Sequence, residues 1–238
     1  MTPILVALDV DSSDAARQLA RSLRGVVGGF KIGKRLFTSE GPSLVRELVD
    51  QGDKIFLDLK FHDIPNTVAG AVAEATKLGV WMMDVHASGG SAMMRAARAA
   101  ADDTASARGQ APPLVIAVTV LTSFDQDTLS EVGVPASIET QVGRLAELAE
   151  SSGLDGVVAS PLEIALIRSR TRRPFAIVTP GIRSTADAKG DQQRTLTAAQ
   201  ALSAGADYLV VGRPIIAAAD PRRAAEALAA DCRAAQAS

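Results

Sequence analysis

Two opposite charges stand two residues apart in a stretch of sequence that is otherwise typical of a buried strand. Apolar residues occupy every second position of the run Ile55-Phe56-Leu57-Asp58-Leu59-Lys60-Phe61, whereas Asp58 and Lys60 share the other face with Phe56. A lysine held beside a carboxylate keeps its proton, so it can donate that proton or stabilise a developing negative charge. This pair is therefore the first candidate for catalysis.

Further charged residues lie at the neighbouring predicted strands. Asp9 ends the first strand, Lys31 lies in the second and Asp63 follows the third. Each of these charges also has a simpler, structural interpretation. Asp58 and Lys60 could form a structural ion pair, and Asp9 could cap a helix. Lys31 could extend to the rim of the barrel, and Asp63 could stabilise the start of the next helix. Because such charges recur at several strand ends, a catalytic cluster is the favoured interpretation.

The histidines and the cysteine limit the other kinds of chemistry. His62 and His86 are the only histidines, and each is interpreted as a local hydrogen-bonding residue rather than a base. Two histidines are too few for a His-rich metal site. The single cysteine, Cys232, excludes an internal disulfide and a cysteine metal cluster, which favours a reducing compartment.

The composition and net charge of the chain limit the kinds of protein that it can be. The chain has 238 residues, of which 47% are hydrophobic, so it can bury one sizeable core. Its formal net charge of −2 provides no cationic field for nucleic acid or an acidic membrane. Asp9 and Asp11 interrupt the apolar start, and no later run approaches the ~18 apolar residues of a membrane span. We therefore expect a cytoplasmic protein that binds neither nucleic acid nor membrane.

Short apolar runs that end in polar residues or glycine recur along the chain and predict eight strands. They are Ile4–Val10, Gly29–Gly33, Lys54–Lys60, Val80–Ala87, Leu114–Thr122, Gly156–Ser160, Phe175–Ile182 and Tyr208–Arg213. Amphipathic stretches such as Asp14–Leu23 and Ile138–Ala149, and one after Asp220-Pro221, predict helices between or after them. The polar stretch Asp102–Gln110 is predicted to be a surface loop.

Eight alternations of strand and helix predict an α/β fold, a (β/α)8 TIM barrel that forms a single catalytic domain over residues 1–238. An open, doubly wound sheet is the rival, but neither GxGxxG nor a Walker glycine-lysine loop is present. Active sites of such barrels lie at the carboxyl ends of the strands, where Asp58 and Lys60 are expected.

The seventh and eighth predicted strands end in residues suited to phosphate. These segments are Thr179–Arg183 and Val211–Pro214, in which glycine permits close approach and Arg213 can bind phosphate oxygens. Simple turn chemistry is the alternative for the glycines. The long polar connection from Arg183 to Arg194 is expected to act as a lid over a ligand.

The string Asp58-Leu59-Lys60-Phe61-His62-Asp63-Ile64-Pro65-Asn66-Thr67 resembles the orotidine 5′-phosphate decarboxylase family of the bacterial type. The resemblance extends over nearly the whole chain. Its other segments are Ala7–Asp9, Phe30–Gly33, Val85–Gly90, Leu121–Ser123, Thr179–Arg183 and Val211–Pro214.

This resemblance implies an enzyme without metal or cofactor that converts orotidine 5′-phosphate to uridine 5′-phosphate and CO2, the last step of de novo pyrimidine synthesis. It implies an alternating charge array of Lys31, Asp58, Lys60 and Asp63, with Lys60 as the proton donor. Asp63 and Thr67 would reach into the partner's site in a homodimer.

The resemblance also implies the substrate contacts. Asp9 and Lys31 would bind ribose, and Thr122 with Ser123 the pyrimidine. The phosphate would be bound by Gln192, Gly212 and Arg213, with Pro180 and Arg183 close by. Gln192 is preferred to Gln193 because its offset from Arg183 matches the family's loop.

Three rival functions stay open at this point. A Schiff-base aldolase also needs an inward lysine, but that lysine must be neutral, and flanking carboxylates disfavour this. An Mg²⁺-dependent sugar-phosphate decarboxylase shares the Asp-x-Lys-x-x-Asp core but is disfavoured by the segments Asp63–Thr67 and Pro180–Arg183. A non-catalytic nucleotide-binding barrel would have no use for costly buried charges.

Overall fold

The structure, a computed structural model, describes residues 2–182 and 196–237. Eight parallel strands close into a barrel in the order of the sequence, with the last strand paired to the first. The strands are β1 (Ile4–Ala7), β2 (Gly29–Gly33), β3 (Ile55–Phe61), β4 (Met82–His86), β5 (Leu114–Val118), β6 (Gly156–Val158), β7 (Ala176–Thr179) and β8 (Tyr208–Val211). The predicted barrel is thereby confirmed.

Most strands are shorter than their apolar runs because the last residues leave the ladder to form the loops at the carboxyl ends. Helices follow or connect the strands on the outside of the barrel. They are α1 (Ser13–Leu23), α2 (Lys34–Glu40), α3 (Pro42–Asp50), α4 (Pro65–Lys77), α5 (Gly90–Ala107), α6 (Gln126–Glu131), α7 (Ile138–Ser151), α8 (Ile164–Arg170), α9 (Ala198–Ser203), α10 (Arg213–Ile216) and α11 (Pro221–Ala237).

The alternation along each strand separates two apolar layers. On β3, Ile55 and Leu57 join the large cluster between the strands and the helices. Phe56 points the other way, into a smaller cluster inside the barrel that includes Leu5 and Met82. Because side chains alternate, the residues that continue the inward face of β3 are Asp58 and Lys60.

The helix ends follow the capping residues of the sequence. The Ser12 hydroxyl accepts a hydrogen bond from the amide of Ala15 at the start of α1, and Ser137 caps α7 in the same way. In the part of the chain that the structure describes, no helix has both the length and the apolar character needed to cross a bilayer.

The predicted surface loop over Asp102–Gln110 is wrong in its first part, because α5 continues to Ala107. The helix has a buried apolar side here, since Ala101, just before the stretch, and Ala105, within it, are fully buried. Its polar residues lie on the outer face, where Asp102 accepts hydrogen bonds from Arg98 one turn earlier.

Aspartates that precede two strands tie the amino-terminal end of the barrel together. Asp155, before β6, accepts the amide hydrogen of Val115 at 2.7 Å and pairs with Arg98 of α5 at 2.5 Å. Asp207, before β8, makes the equivalent contacts with the amide of Ile177 and with Arg168 of α8. Each carboxylate thus joins a strand to a helix at the amino-terminal end of the barrel, opposite the loops that follow the carboxyl ends of the strands.

Candidate active site

A cavity of about 540 Å³ lies at the carboxyl ends of the strands, within the size range of small-molecule sites. Inward apolar residues of the barrel, among them Phe56 and Val118, form its base. Asp9, Lys31 and several loop residues surround it. This is the position at which barrels of this architecture carry their active sites.

A chain of alternating charges runs from this cavity into the barrel. Lys31 Nζ lies 3.4 Å from Asp9 Oδ1 and 3.2 Å from Asp58 Oδ2. Lys60 Nζ donates a hydrogen bond to Asp58 Oδ1 and lies 3.5 Å from Asp84 Oδ2. Strands β2, β3 and β4 are neighbours in the barrel, so their inward side chains meet across the sheet.

The cluster is shielded from solvent at its centre and open at one end. The side chains of Asp58 and Lys60 are 13% and 23% exposed, whereas that of Asp9 is 58% exposed. Charges inside a barrel interact more strongly than they would in water because the surroundings are less polarisable. A ligand in the cavity would therefore meet fixed charges at Lys31, Asp58 and Lys60.

The cluster sets the protonation of its central members. Burial alone would raise the pKa of Asp58, but the positive charges of Lys31 and Lys60 outweigh it and hold this pKa well below its usual range. Burial would lower the pKa of Lys60, but the interactions of its ammonium group with the carboxyl groups of Asp84 and Asp58 outweigh it and raise this pKa. Asp58 is an anion and Lys60 is an ammonium ion at neutral pH.

Asp84 is a member of the cluster that was not singled out from the sequence. It lies in the predicted strand Val80–Ala87 and is completely buried. The available signal was the same alternation that singled out Asp58, since an outward-facing Val85 sits next to it in the core between strands and helices. Burial and the negative charge of Asp58 raise the pKa of Asp84 well above its usual range.

Lys60 has a backbone conformation that is unusual for a side-chain-bearing residue. Its φ is 53°, in the left-handed region, which costs roughly 1 to 3 kcal/mol for a residue other than glycine. The pairing of β3 with β4 shifts register at this point, between Leu57 and Phe61. The lysine thus sits in an irregularity of the strand rather than in a regular ladder.

Asp63 and Thr67 lie outside this cluster in the described chain. Both are exposed, as is the segment between them, in which Ile64 is 67% exposed. The Asp63 carboxylate accepts the amide hydrogen of Ile64 at 2.6 Å, just before helix α4. Neither residue lines the cavity formed by the described residues.

The two histidines lie side by side near the carboxyl ends of β3 and β4. Their ring centres are 5.3 Å apart. Burial, followed by electrostatic interactions with His62, Lys60 and Lys34, lowers the pKa of His86 to about 4. His86 is therefore neutral at pH 7, which agrees with its interpretation as a local structural residue.

Loops after β5, β7 and β8 complete the cavity. Thr122, Pro180, Gly212 and Arg213 line it, and Gly212 is the N-cap residue of helix α10. Ser123 is exposed and is not among the described lining residues. The predicted contacts Arg183 and Gln192, the alternative Gln193 and the predicted lid lie outside the described residues.

Comparison with known proteins agrees with this geometry. The family described as Orotidine 5′-phosphate decarboxylase / HUMPS family matches residues 2–228. A protein of Syntrophotalea carbinolica named orotidine 5′-phosphate decarboxylase is 53% identical over 98% of this chain and 95% of its own length. One of the same name from Moorella thermoacetica is 52% identical over 96% of this chain and 91% of its own length.

Solved structures agree as well. The crystal structure of orotidine 5′-phosphate decarboxylase from Lactobacillus acidophilus matches with a TM-score of 0.87 and 38% identity, over 98% of this chain and 99% of that one. The likeness thus extends over nearly the whole chain. The family predicted from the sequence is confirmed, and the chain belongs to the orotidine 5′-phosphate decarboxylase / HUMPS family.

Proposed function

We propose that this chain is a carboxy-lyase that converts orotidine 5′-phosphate and a proton to uridine 5′-phosphate and CO2, the closing step of pyrimidine nucleotide synthesis. The observation that carries the proposal is the pairing of Lys60 with Asp58 at the wall of a cavity of about 540 Å³. The names of relatives about half identical over nearly the whole chain support the same reaction.

The chemistry of the reaction calls for such a lysine. When the bond between C6 and the carboxylate breaks, its electron pair stays on C6 and CO2 departs. That pair lies in the ring plane and cannot delocalise into the carbonyl groups, so a fixed positive charge beside C6 stabilises the transition state. Lys60 supplies this charge and then transfers a proton from Nζ to C6. No metal or cofactor takes part in this scheme.

Asp58 has two roles in this proposal. Its negative charge keeps Lys60 protonated, which opposes the effect of burial on the lysine. We also propose that this charge repels the departing carboxylate, which would raise the energy of the bound substrate. Stabilisation by Lys60 is the larger effect, because it acts on charge that develops only in the transition state.

The remaining contacts divide among the parts of the substrate. We assign the ribose to Asp9 and Lys31, and the pyrimidine to Thr122 with Ser123. We assign phosphate binding to Gly212, Arg213 and Gln192, with Pro180 and Arg183 next to the phosphate. The phosphate lies far from the bond that breaks, so its binding energy is available to close the site and exclude water.

We also propose that two copies of the chain form a homodimer in which Asp63 and Thr67 complete the partner's site. The segment from Asp63 to Thr67 is exposed and lies outside the cavity of its own chain, so it is accessible to a second copy. In this arrangement Asp63 would bring a further carboxylate to Lys60. We place this dimer, with one catalytic domain per chain, in the cytoplasm.

The decisive test is turnover of orotidine 5′-phosphate followed by ultraviolet absorbance, with EDTA present. We expect turnover by the wild-type protein, none that is measurable by Lys60→Ala, and normal turnover by Lys54→Ala. Lys54 is a matched control because it is exposed and lies over Trp81, away from the cavity.

Absence of turnover by folded wild-type protein would refute the proposal. Turnover of a sugar phosphate that appears when Mg²⁺ is added would then favour the metal-dependent decarboxylase. Covalent trapping of the protein by borohydride in the presence of a keto-sugar phosphate would favour the aldolase. Wild-type turnover that Lys60→Ala retains would refute the role of the lysine.

Mixing two inactive variants tests the shared site. Lys60→Ala and Asp63→Ala each lack one residue of every site, but a mixed dimer would contain one site with both residues intact. We expect activity to return when the two proteins are unfolded together and refolded as a mixture. Mixtures that stay as inactive as the separate variants would contradict an Asp63 contribution across the interface.

A further inference from the structure

Asp84 contacts Lys60 at two points, from a completely buried position on β4. Its Oδ1 accepts the amide hydrogen of Lys60 at 2.8 Å, and its Oδ2 lies 3.5 Å from Lys60 Nζ. Oδ2 has no hydrogen-bond partner among the described residues. A buried carboxyl group with so few partners is costly, so its contact with Lys60 requires an explanation.

The register of the barrel explains why the amide of Lys60 needs this acceptor. Leu57 of β3 pairs with Met83, and Phe61 pairs with Val85. Three residues of β3 between these pairs therefore stand against the single residue Asp84 of β4. The extra residues leave the regular ladder, and the Asp84 side chain accepts the amide hydrogen that Lys60 brings there.

The same contact accounts for the left-handed backbone of Lys60. A φ of 53° is disfavoured for lysine and persists only where neighbouring groups hold it. The hydrogen bond from the amide to a carboxyl group fixed in the core is such a restraint. With its backbone held, Lys60 directs Nζ to Asp58 and into the cavity.

We propose that Asp84 is a positioning residue for the decarboxylation, which holds the backbone of Lys60 in the left-handed conformation that delivers its ammonium group to the reacting carbon. This inference rests on the proposed function. Asp84 acts through Lys60 and touches the substrate at no point of the reaction.

The surroundings of Asp84 indicate which replacement preserves its role. It faces Asp58 and Lys60 of β3, with Lys31 of β2 behind Asp58, and its register partner on β5 is the apolar Ile116. Burial and the Asp58 charge favour its neutral form. An asparagine has the same shape and keeps a carbonyl oxygen for the Lys60 amide, whereas a leucine of similar volume offers no acceptor.

The test compares Asp84→Asn with Asp84→Leu. We expect the asparagine variant to keep kcat within about fivefold of wild type. The leucine variant should lose about 100-fold in kcat, because a misplaced catalytic group costs about that factor, while KM changes less than about threefold. Met83→Ala is the control for instability, since Met83 is a fully buried neighbour on the other face of β4; it should lower Tm and keep kcat.

A leucine variant with wild-type kcat would overturn the inference, and so would asparagine and leucine variants that lose kcat equally. If Asp84→Leu does not fold, Asp84→Ala takes its place.

Hydrogen exchange at the Lys60 amide gives a second measurement that needs no turnover. We expect slow exchange in wild type and Asp84→Asn, and fast exchange in wild type would contradict the restraint. An inactive wild type with a protected Lys60 amide would refute the proposed function and leave the restraint standing.

Discussion

Oδ2 of Asp58 lies 3.2 Å from Nζ of Lys31, and the other oxygen of the same carboxylate accepts a hydrogen bond from Lys60. One largely shielded anion is thus shared by two cations from neighbouring strands. Removing one member of such a cluster leaves a partner charge uncompensated, which costs more than the pair contributes as a whole. The central position of Asp58 makes it the residue through which the two lysines influence each other.

Replacing Asp58 by asparagine should lower both activity and the pKa of Lys60. The Asp58 carboxylate is one of two carboxyl groups whose interactions raise this pKa against burial, so the loss of its charge favours the neutral amine. We expect kcat to fall by about 100-fold or more, since proton transfer contributes about that factor. The basic limb of the kcat profile should move to lower pH. A basic limb that stays at its wild-type pH would contradict this coupling.

Replacing Arg213 by alanine should reduce turnover of orotidine 5′-phosphate by more than the loss of a passive anchor. The residue lines the cavity beside Gly212, and binding energy from the phosphate serves to order the site. We expect kcat/KM to fall by about 100-fold or more, with part of the loss in kcat. The nucleoside orotidine, which lacks the phosphate, should be turned over equally by both proteins.

Arg223→Ala is the matched control for this prediction. Arg223 is an exposed arginine at the start of α11, where its amide is bound by the Asp220 carboxylate. Its loss removes the same charge at a distance from the cavity. Equal losses in the two variants would indicate a general electrostatic effect instead of a phosphate contact.

His86 should make the protein less stable in mild acid. Its pKa in the folded protein is about 4, below the ordinary value of 6.5, so the unfolded chain binds a proton more readily. The stability it contributes is complete above pH 6.5 and is lost as the pH falls towards 4. We expect an effect on the order of 1 to 2 kcal/mol, because the ring is partly exposed and solvent screens it.

Urea denaturation at pH 7 and pH 4.5 measures this effect. The difference between the two free energies of unfolding should be smaller in His86→Asn than in wild type, and comparison within each protein cancels any baseline cost of the substitution. An identical difference in the two proteins would show that other groups carry the acid sensitivity.

Asp155 should contribute to stability but not to turnover. Its carboxylate accepts the Val115 amide and pairs with Arg98 at the amino-terminal end of the barrel. We expect Asp155→Ala to lower the free energy of unfolding by about 2 kcal/mol and to leave kcat unchanged. Asp102→Ala removes the exposed partner of the same arginine and should cost about 0.5 kcal/mol. Equal costs would contradict the distinction between the two carboxylates.

The pattern of the sequence was sufficient to predict the barrel and the inward direction of the Asp58 and Lys60 side chains. Runs of β-branched residues separated by amphipathic stretches predicted all eight strands, because parallel strands are buried on both faces. Alternation predicted that Asp58 and Lys60 point inward, and both line the cavity. The first part of the stretch Asp102–Gln110 was wrongly predicted to be a loop, since polarity alone does not reveal an outer helix face stabilised by Arg98.

Other features depended on contacts between distant parts of the chain. Asp84 stands 24 residues from Lys60 in sequence, and only the register of β3 against β4 brings its carboxyl group to the lysine amide. The left-handed backbone of Lys60 has no local signature, because lysine does not favour it and its restraint comes from another strand.

The sequence by itself therefore determined the barrel, the family and the charged residues of the third strand, because periodicity and local motifs are properties of neighbouring residues. The tertiary structure decided which carboxylate meets which ammonium group. Closure of the sheet and the shift in register set those distances, and distances fix the protonation of buried groups.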